Sequence, residues 1–181
     1  IMPSLVGSEM CIRDRSTPLG RHAFVMVDID HFKTLNDTKG HQFGDRVLMD
    51  FAKSLKASLR AEDIIGRIGG DEFVICLRNV QLNQTLEETT AQLCTALSRR
   101  LDEQTFISAS LGVAIFPKDG MAFDELYQKA DIALYEAKRL GRSCCVFYQN
   151  DMLEEGWSTY NDTHHIENRE APRDFEPEWT L

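Results

Sequence analysis

Residues 67–73 read Arg-Ile-Gly-Gly-Asp-Glu-Phe and join two β-rich runs at 64–68 and 71–77. Two such runs around a two-residue glycine turn are typical of a β-hairpin. The turn, Gly69-Gly70, also leaves the backbone free of Cβ atoms directly before two acids. The sequence therefore predicts a hairpin that presents carboxylates beside a backbone that a phosphate could approach closely.

Strand and helix patterns continue on both sides of the hairpin. The other predicted elements are a buried strand at 23–27, a helix from 45 to 59 entered through Gly44, a helix at 86–101, an alternating strand at 107–115, a helix at 123–137 closed by Gly141, and a strand at 145–148. No dinucleotide-binding glycine motif follows the first strand. The order predicts an α/β fold, an α+β sandwich on a mainly antiparallel sheet, rather than a doubly wound fold.

Composition and charge narrow the class of protein. The chain has 181 residues, of which 43% are apolar, which suits one folded domain. Its net charge is −9, and residues 151–181 hold nine acids and two Arg, so residues 1–150 carry only −2. A duplex nucleic-acid binder would present a basic face, so that class is excluded. No apolar window is long enough to span a bilayer.

The two ends of the chain differ from its middle. Residues 1–15 show no period and resemble translated sequencing-adaptor read-through, so they are predicted to be an artefactual leader. The predicted domain is 16–149, and residues 150–181 are predicted to be an acidic, disordered tail. The five cysteines form no C-x-x-C pair and indicate neither a disulfide framework nor a zinc site, which favours a reducing, cytoplasmic compartment.

Acids stand where two predicted strands surface. Asp28 ends the buried strand, and Asp71 and Glu72 follow the glycine turn. Adjacent strand ends can bring these three carboxylates around one point, and hard divalent cations such as Mg²⁺ prefer oxygen ligands of this kind. The alternative is that Asp28 caps the following turn and Asp71 is ordinary hairpin punctuation.

From about residue 21 to residue 149 the chain resembles the GGDEF family, the diguanylate cyclases. Besides residues 67–73, the segments that carry the resemblance are VDIDHFK at 27–33, Asn36-Asp37, Gly40-His41, Gly44-Asp45, SLGVA at 110–114, ADIALYEAK at 130–138 and Gly141-Arg142. They occur in the family's order and at its spacing. The resemblance implies an adenylyl-cyclase-like palm with a central five-stranded sheet.

The resemblance also implies a metal site. The positions that match the family's ligands are Asp28, the main-chain carbonyl of Ile29, and Asp71, with Glu72 beside them and needed for activity. Two Mg²⁺ or Mn²⁺ ions per active site, bridging a triphosphate, would polarise the α-phosphate and activate an attacking 3′-hydroxyl.

The implied substrate is GTP. Asn36 and Asp45 match the family's guanine-reading pair, and a carboxylate can accept from guanine N1–H and the 2-amino group together. The alternative for Asp45 is an acid in the first turn of a helix, where the helix dipole favours a negative charge. The positions implied to hold the phosphates are the turn amides of Phe32 and Lys33, the Gly69-Gly70 backbone, and the cations Lys138 and Arg142. These two cations also suit a helix C-terminus.

Arg60 and Asp63 stand at the spacing of the family's inhibitory site, which binds the cyclic dinucleotide product. An Arg fork suits both phosphate and the guanine Hoogsteen edge. The alternative is an Arg at a helix end paired with an acid three residues on.

The implied activity is condensation of two GTP molecules into cyclic di-GMP and two pyrophosphates. Because one site cannot make both attacks, turnover is expected to need a homodimer, arranged in the family by an upstream sensory or coiled-coil region. Residues 16–20 retain none of the family's opening pattern, so that region and the opening helix are predicted to be missing, and the parent protein could be membrane-tethered through it. The rival function is a catalytically silent module that binds GTP or cyclic di-GMP.

Overall fold

The centre of the fold is a five-stranded sheet with β1 (His22–Ile29) as its middle strand. The structure is a computed structural model that describes residues 20–80 and 84–152. Across the sheet the strands follow the order β2 (Ile64–Gly69), β3 (Glu72–Leu77), β1, β6 (Ala109–Phe116) and β7 (Cys145–Phe147). Only β6 and β7 are parallel. The predicted mainly antiparallel sheet and its hairpin are confirmed.

Four helices and a short strand pair complete the described fold. The helices are α1 (Phe32–Lys39), α2 (His41–Ser58), α3 (Gln84–Leu97) and α4 (Phe123–Arg139), and the pair is β4 (Arg99–Arg100) with β5 (Phe106–Ile107).

Helices cover both faces of the sheet. In β1, Val25 and Val27 point toward the apolar residues of α2 and α3, whereas Phe24 and Met26 pack with α4. Because side chains alternate along a strand, Asp28 follows Met26 on the α4 face. Burial on both faces explains why the strand reads as a continuous apolar run.

Four features of the helices and strands differ from the sequence prediction. Helix α1 occupies a segment predicted as a turn, because it buries only Phe32 and gives almost no apolar period. Helix α2 begins at His41, so Gly44 lies within its first turns rather than before it. The predicted strand at 107–115 is interrupted at Ser108, where β5 ends before β6 begins. Leu101 lies beyond the end of α3.

The proposed leader at 1–15 lies outside the described residues, as do residues 153–181 of the proposed tail. None of the helices in the described ranges combines the length and the apolarity that a bilayer crossing requires.

Candidate active site at the edge of the sheet

Three carboxylates reach one edge of the sheet because β1 and β3 are antiparallel neighbours. Asp28, near the end of β1, is the direct register partner of Glu72, the first residue of β3. Directly opposite residues have Cβ atoms roughly 5 Å apart. The Ile29 N–H donates to the main-chain oxygen of Asp71 at 3.4 Å, which ties the hairpin turn to the end of β1. The strand pairing therefore brings together the acids that the sequence singled out.

The side chain of an arginine stabilises the glycine turn by hydrogen bonding to its main chain. Arg67 donates from Nε and Nη2 to the Gly70 main-chain oxygen at 2.8 and 2.5 Å. Gly70 has φ 37°, which favours glycine, and a Cβ at Gly69 or Gly70 would meet no atom within 4 Å. The turn thus faces open space, which leaves room for a ligand. Sequence reasoning gave Arg67 no role, since its partner is a main-chain atom that no side-chain pattern reveals.

Asp28 is the buried member of the carboxylate group, with 8% of its surface exposed. The pKa of Asp28 is raised to about 6, chiefly by burial, with smaller upward contributions from the charges of Asp71 and Glu72. Lys138, from the last turn of α4, opposes this shift with an Nζ to Oδ2 contact of 2.8 Å. The sequence assigns Lys138 to phosphate, which stays a prediction, and the structure places its ammonium group at the same carboxylate edge, on Asp28.

The donor set fits a hard divalent cation. Asp28, Asp71 and Glu72 supply carboxylate oxygens, and Lys138 forms an ion pair with Asp28. Among residues 20–80 and 84–152, no three His, Cys, Asp or Glu side chains form a preassembled metal cage. A cation here would need further ligands, which is typical of Mg²⁺ sites completed by substrate phosphates.

The N-terminus of α1 lies just beyond the end of β1. The first helical bond runs from the Leu35 N–H to the His31 oxygen at 3.0 Å, and no side chain caps the helix. The N–H groups of Phe32 and Lys33 belong to the first turn, where amides lack acceptors within the helix and the dipole favours anions. The amides that the sequence assigned to a turn are therefore those of a helix N-terminus.

The proposed base-reading residues lie on two helices joined by a single glycine, Gly40. Asn36 lies in α1, and Asp45 is exposed in α2. Asn36 Oδ1 is buried and has no hydrogen-bond partner within the described part of the chain. A Cβ added at Gly44 would lie 1.8 Å from that oxygen. An orphaned buried acceptor calls for a partner, and a ligand donor would supply one.

Arg142 lies exposed in the loop after α4, with φ 68°. Arg142 follows Lys138 closely in the chain and lies just beyond the end of α4.

The proposed inhibitory pair is split between two roles. Asp63 accepts from the main-chain N–H of Arg60 at 2.9 Å and from that of Arg78 at 3.0 Å, so it ties the loop after α2 to the end of β3. The Arg60 guanidinium is exposed and lies 3.4 Å from Glu62. The contact between Arg60 and Asp63 thus runs through the main chain of Arg60, and product binding by this pair stays a prediction.

Beside Asp63 lies a cleft of about 50 Å³. Its walls include Ser58, Arg60, Leu77, Val80, Leu86 and Thr89. This volume suits a water molecule and not a dinucleotide. A dinucleotide at Arg60 would therefore bind on the surface.

Comparisons with known proteins agree with this geometry. The family described as "Diguanylate cyclase, GGDEF domain" matches residues 12–144. Over 134 residues the chain is 38% identical to the bifunctional diguanylate cyclase/cyclic di-GMP phosphodiesterase MucR of Pseudomonas aeruginosa, covering 73% of this chain and 20% of that protein. Across the first curated relatives the chain spans 17% to 38% of their length.

Solved structures share the fold. The crystal structure of the GGDEF domain of YfiN (TpbB) from Pseudomonas aeruginosa matches with TM-score 0.71 and 28% identity, covering 82% of this chain and 97% of that one. The GGDEF domain of DgcB from Caulobacter crescentus, in complex with c-di-GMP, matches with TM-score 0.63 and 29% identity, covering 70% and 77%. These relatives support a role in cyclic di-GMP signalling. With its signature turn, its five-stranded sheet and the match over residues 12–144, the chain belongs to the GGDEF domain family.

Proposed function

We propose that this domain is a diguanylate cyclase that condenses two GTP molecules into cyclic di-GMP and two pyrophosphates. One observation carries the proposal: Asp28, Asp71 and Glu72 share a sheet edge beside a glycine turn that opens to free space. A module that only bound nucleotide would have no need of three carboxylates next to a triphosphate, because like charges repel there unless a cation intervenes.

The carboxylate edge is the part of the chain suited to Mg²⁺ or Mn²⁺, two per active site. Asp28, the Ile29 carbonyl and Asp71 would hold the metal, with Glu72 beside them. When bound, the metal supplies charge neutralisation at the triphosphate and polarisation of the α-phosphate. Lys138 offsets part of the charge of Asp28 in the structure.

The remaining residues bind and orient the nucleotide. The first-turn amides of Phe32 and Lys33 offer donors to the β- and γ-phosphates, and Arg142 adds a cation. Asn36 and Asp45 read guanine, since adenine carries no donor at N1 for a carboxylate to accept. Because the guanine base and the terminal phosphates of GTP are both bound, the α-phosphate between them is held in a fixed position.

The reaction needs two domains face to face. In each attack a 3′-oxygen forms a bond to the α-phosphorus of the other GTP, the bond from that phosphorus to the bridging oxygen breaks, and pyrophosphate leaves. Two reciprocal attacks close the ring. Each subunit supplies one GTP and one half-site, so the proposal requires a homodimer.

The direct test is pyrophosphate release from GTP with Mg²⁺, followed over a range of protein concentrations. A cyclase of this kind shows a specific activity that rises with protein concentration, is lost on chelation, and is absent with ATP. Binding of GTP with no pyrophosphate at any concentration would instead establish the silent receptor module.

Gly44→Ala is expected to raise the KM for GTP by about tenfold. At a helix position with free space for a Cβ atom, a change from glycine to alanine would stabilise the fold, because alanine has the better helix propensity. Here the new Cβ would lie 1.8 Å from Asn36 Oδ1, so the amide must move away from the base. Steady-state kinetics with GTP measures the effect.

The control for Gly44 is the same change made in an Asn36→Ala background. Once the amide is gone, Gly44→Ala should alter the KM by less than about twofold. An equal penalty in both backgrounds would mean that the glycine serves helix packing, for example against Phe32 Cζ at 3.2 Å, and not the amide.

Arg60→Ala is expected to weaken cyclic di-GMP binding by at least about a hundredfold while leaving the initial rate nearly unchanged. The substitution keeps the main-chain N–H that Asp63 accepts, and it removes only an exposed ion pair with Glu62, which contributes about 1 kcal/mol or less. Calorimetric titration with the product and full progress curves measure the two quantities.

Lys53→Ala is the matched control for Arg60, because Lys53 is an exposed cation of α2, the helix just before Arg60, and lies 3.7 Å from Asp50. It should leave product affinity unchanged. Unaltered product affinity in Arg60→Ala would remove Arg60 from the inhibitory site.

A further inference from the structure

A second aspartate, Asp30, lies two residues beyond Asp28 and is 7% exposed. Its carboxylate accepts three hydrogen bonds from groups far away in sequence. Ser108 Oγ donates to Oδ2 and Ser110 Oγ donates to Oδ1, each at 2.6 Å. The main-chain N–H of Ser143 donates to Oδ2 at 3.0 Å. Buried carboxylates are costly unless such donors satisfy them, so the arrangement is specific.

The third donor belongs to a loop with an uncommon backbone. Gly141, Arg142 and Ser143 have φ of 115°, 68° and 50°, three left-handed residues in succession. Two of them carry a Cβ, and serine and arginine rarely adopt this conformation. The Arg142 N–H donates to Ala137 oxygen at 3.0 Å, which closes the end of α4. The Ser143 bond to Asp30 fixes the other end of this turn.

Two contacts therefore anchor this segment to the end of β1. Lys138 reaches Asp28, and Ser143 reaches Asp30 one turn further on. Arg142 lies between the two anchors in the chain. Its main chain is thus placed relative to the carboxylate edge by Asp30, although Asp30 itself is buried.

We propose that Asp30 is a positioning residue for phosphate binding: its carboxylate holds the 141–143 loop so that Arg142 faces the nucleotide phosphates at the carboxylate edge. The inference rests on the proposed function, because it assigns Arg142 to phosphate. It adds a residue for which the family resemblance supplied no role. The competing account is that Asp30 only joins β1 to β6 through Ser108 and Ser110.

The experiment measures the Kd of 3′-deoxy-GTP, which lacks the attacking hydroxyl and therefore binds without condensing. Asp30→Ala is expected to weaken binding by about tenfold, because the alanine side chain has no oxygen to accept the Ser143 N–H. In an Arg142→Ala background, the Asp30 substitution should raise the Kd by less than about a further twofold, because both substitutions remove the same contact of Arg142 with phosphate. Equal penalties in the two backgrounds would overturn the proposal.

Ser110→Ala separates the two accounts, because it removes the Oδ1 contact and leaves the loop bond to Oδ2 in place. We expect it to lower the melting temperature and to keep the Kd within about twofold of wild type. A tenfold loss of affinity here would favour the purely structural account of Asp30.

A second pair of variants covers the case in which the Asp30 variant does not fold. Ser143→Pro removes the donating N–H, but proline fixes φ at about −65° and also strains a position with φ 50°. Ser143→Val keeps the N–H and is likewise strained at this φ, so it is the control for backbone strain. The proposal predicts that the proline variant weakens 3′-deoxy-GTP binding about tenfold and that the valine variant does not. Equal affinities for both variants would overturn it. A wild-type domain that does not bind 3′-deoxy-GTP would overturn the proposed function as well.

Discussion

Asp71→Asn is expected to lower the rate of cyclic di-GMP formation by at least about a hundredfold, roughly 2.7 kcal/mol in the activation barrier. The substitution preserves shape and the main-chain oxygen that accepts the Ile29 N–H, so the fold should survive. It removes one negative charge from the edge that would hold the cation. Pyrophosphate release with Mg²⁺, alongside thermal unfolding, measures activity and stability separately.

Glu72→Gln should behave in the same way, because Glu72 lies directly opposite Asp28 in the strand register. Asp50→Asn is the control, since Asp50 is an exposed acid of α2 that contacts only its helix neighbour Lys53 in an ion pair. If Asp71→Asn or Glu72→Gln retained more than about a tenth of the wild-type rate, that carboxylate would not have the role proposed for it.

Asp45→Ala and Asn36→Ala should each reduce the preference for GTP over ATP by about a hundredfold, measured as the ratio of kcat/KM values. A site that hydrogen-bonds a substrate group discriminates strongly against analogues that lack the group. Asn36→Ala should not lower the melting temperature greatly, because the buried Asn36 Oδ1 has no partner to lose. We therefore expect Asn36→Ala to weaken the recognition of guanine rather than the stability of the fold.

Asp37→Ala provides the comparison for this pair. Asp37 is an exposed neighbour of Asn36 on α1, so its removal changes the local charge without reaching the amide. Its preference for GTP should stay close to that of the wild type. If all three variants keep the wild-type preference, base recognition lies elsewhere.

The sequence was sufficient to predict the sheet because its central strands are strongly patterned. The apolar run of β1 predicts a buried strand and the glycine turn predicts a hairpin, whereas the pairing of β1 with β3 is non-local and is given by the structure. Helix α1 escaped prediction because one buried residue, Phe32, cannot produce an apolar period. The interruption at Ser108 escaped because alternation continues through it.

The site was predictable only where the residues themselves carry the chemistry. The acids could be identified from their types and from the adjacent turn. The partner of Lys138 could not, because Asp28 lies 110 positions earlier and the pairing depends on how α4 crosses the sheet. The role of Asp30 could not be predicted for the same reason, because its hydrogen-bond donors Ser108, Ser110 and Ser143 lie far away in the sequence.

The position of β1 has a consequence for how the domain opens. Its amides are bonded on both sides and buried, so we expect them to be among the last amides of the domain to exchange with solvent. Helix α1 has one buried residue and joins α2 through Gly40, so it can open locally at a much lower free energy. If Asn36 and Asp45 bind guanine as proposed, a local fluctuation of α1 would let the base enter and leave without opening β1.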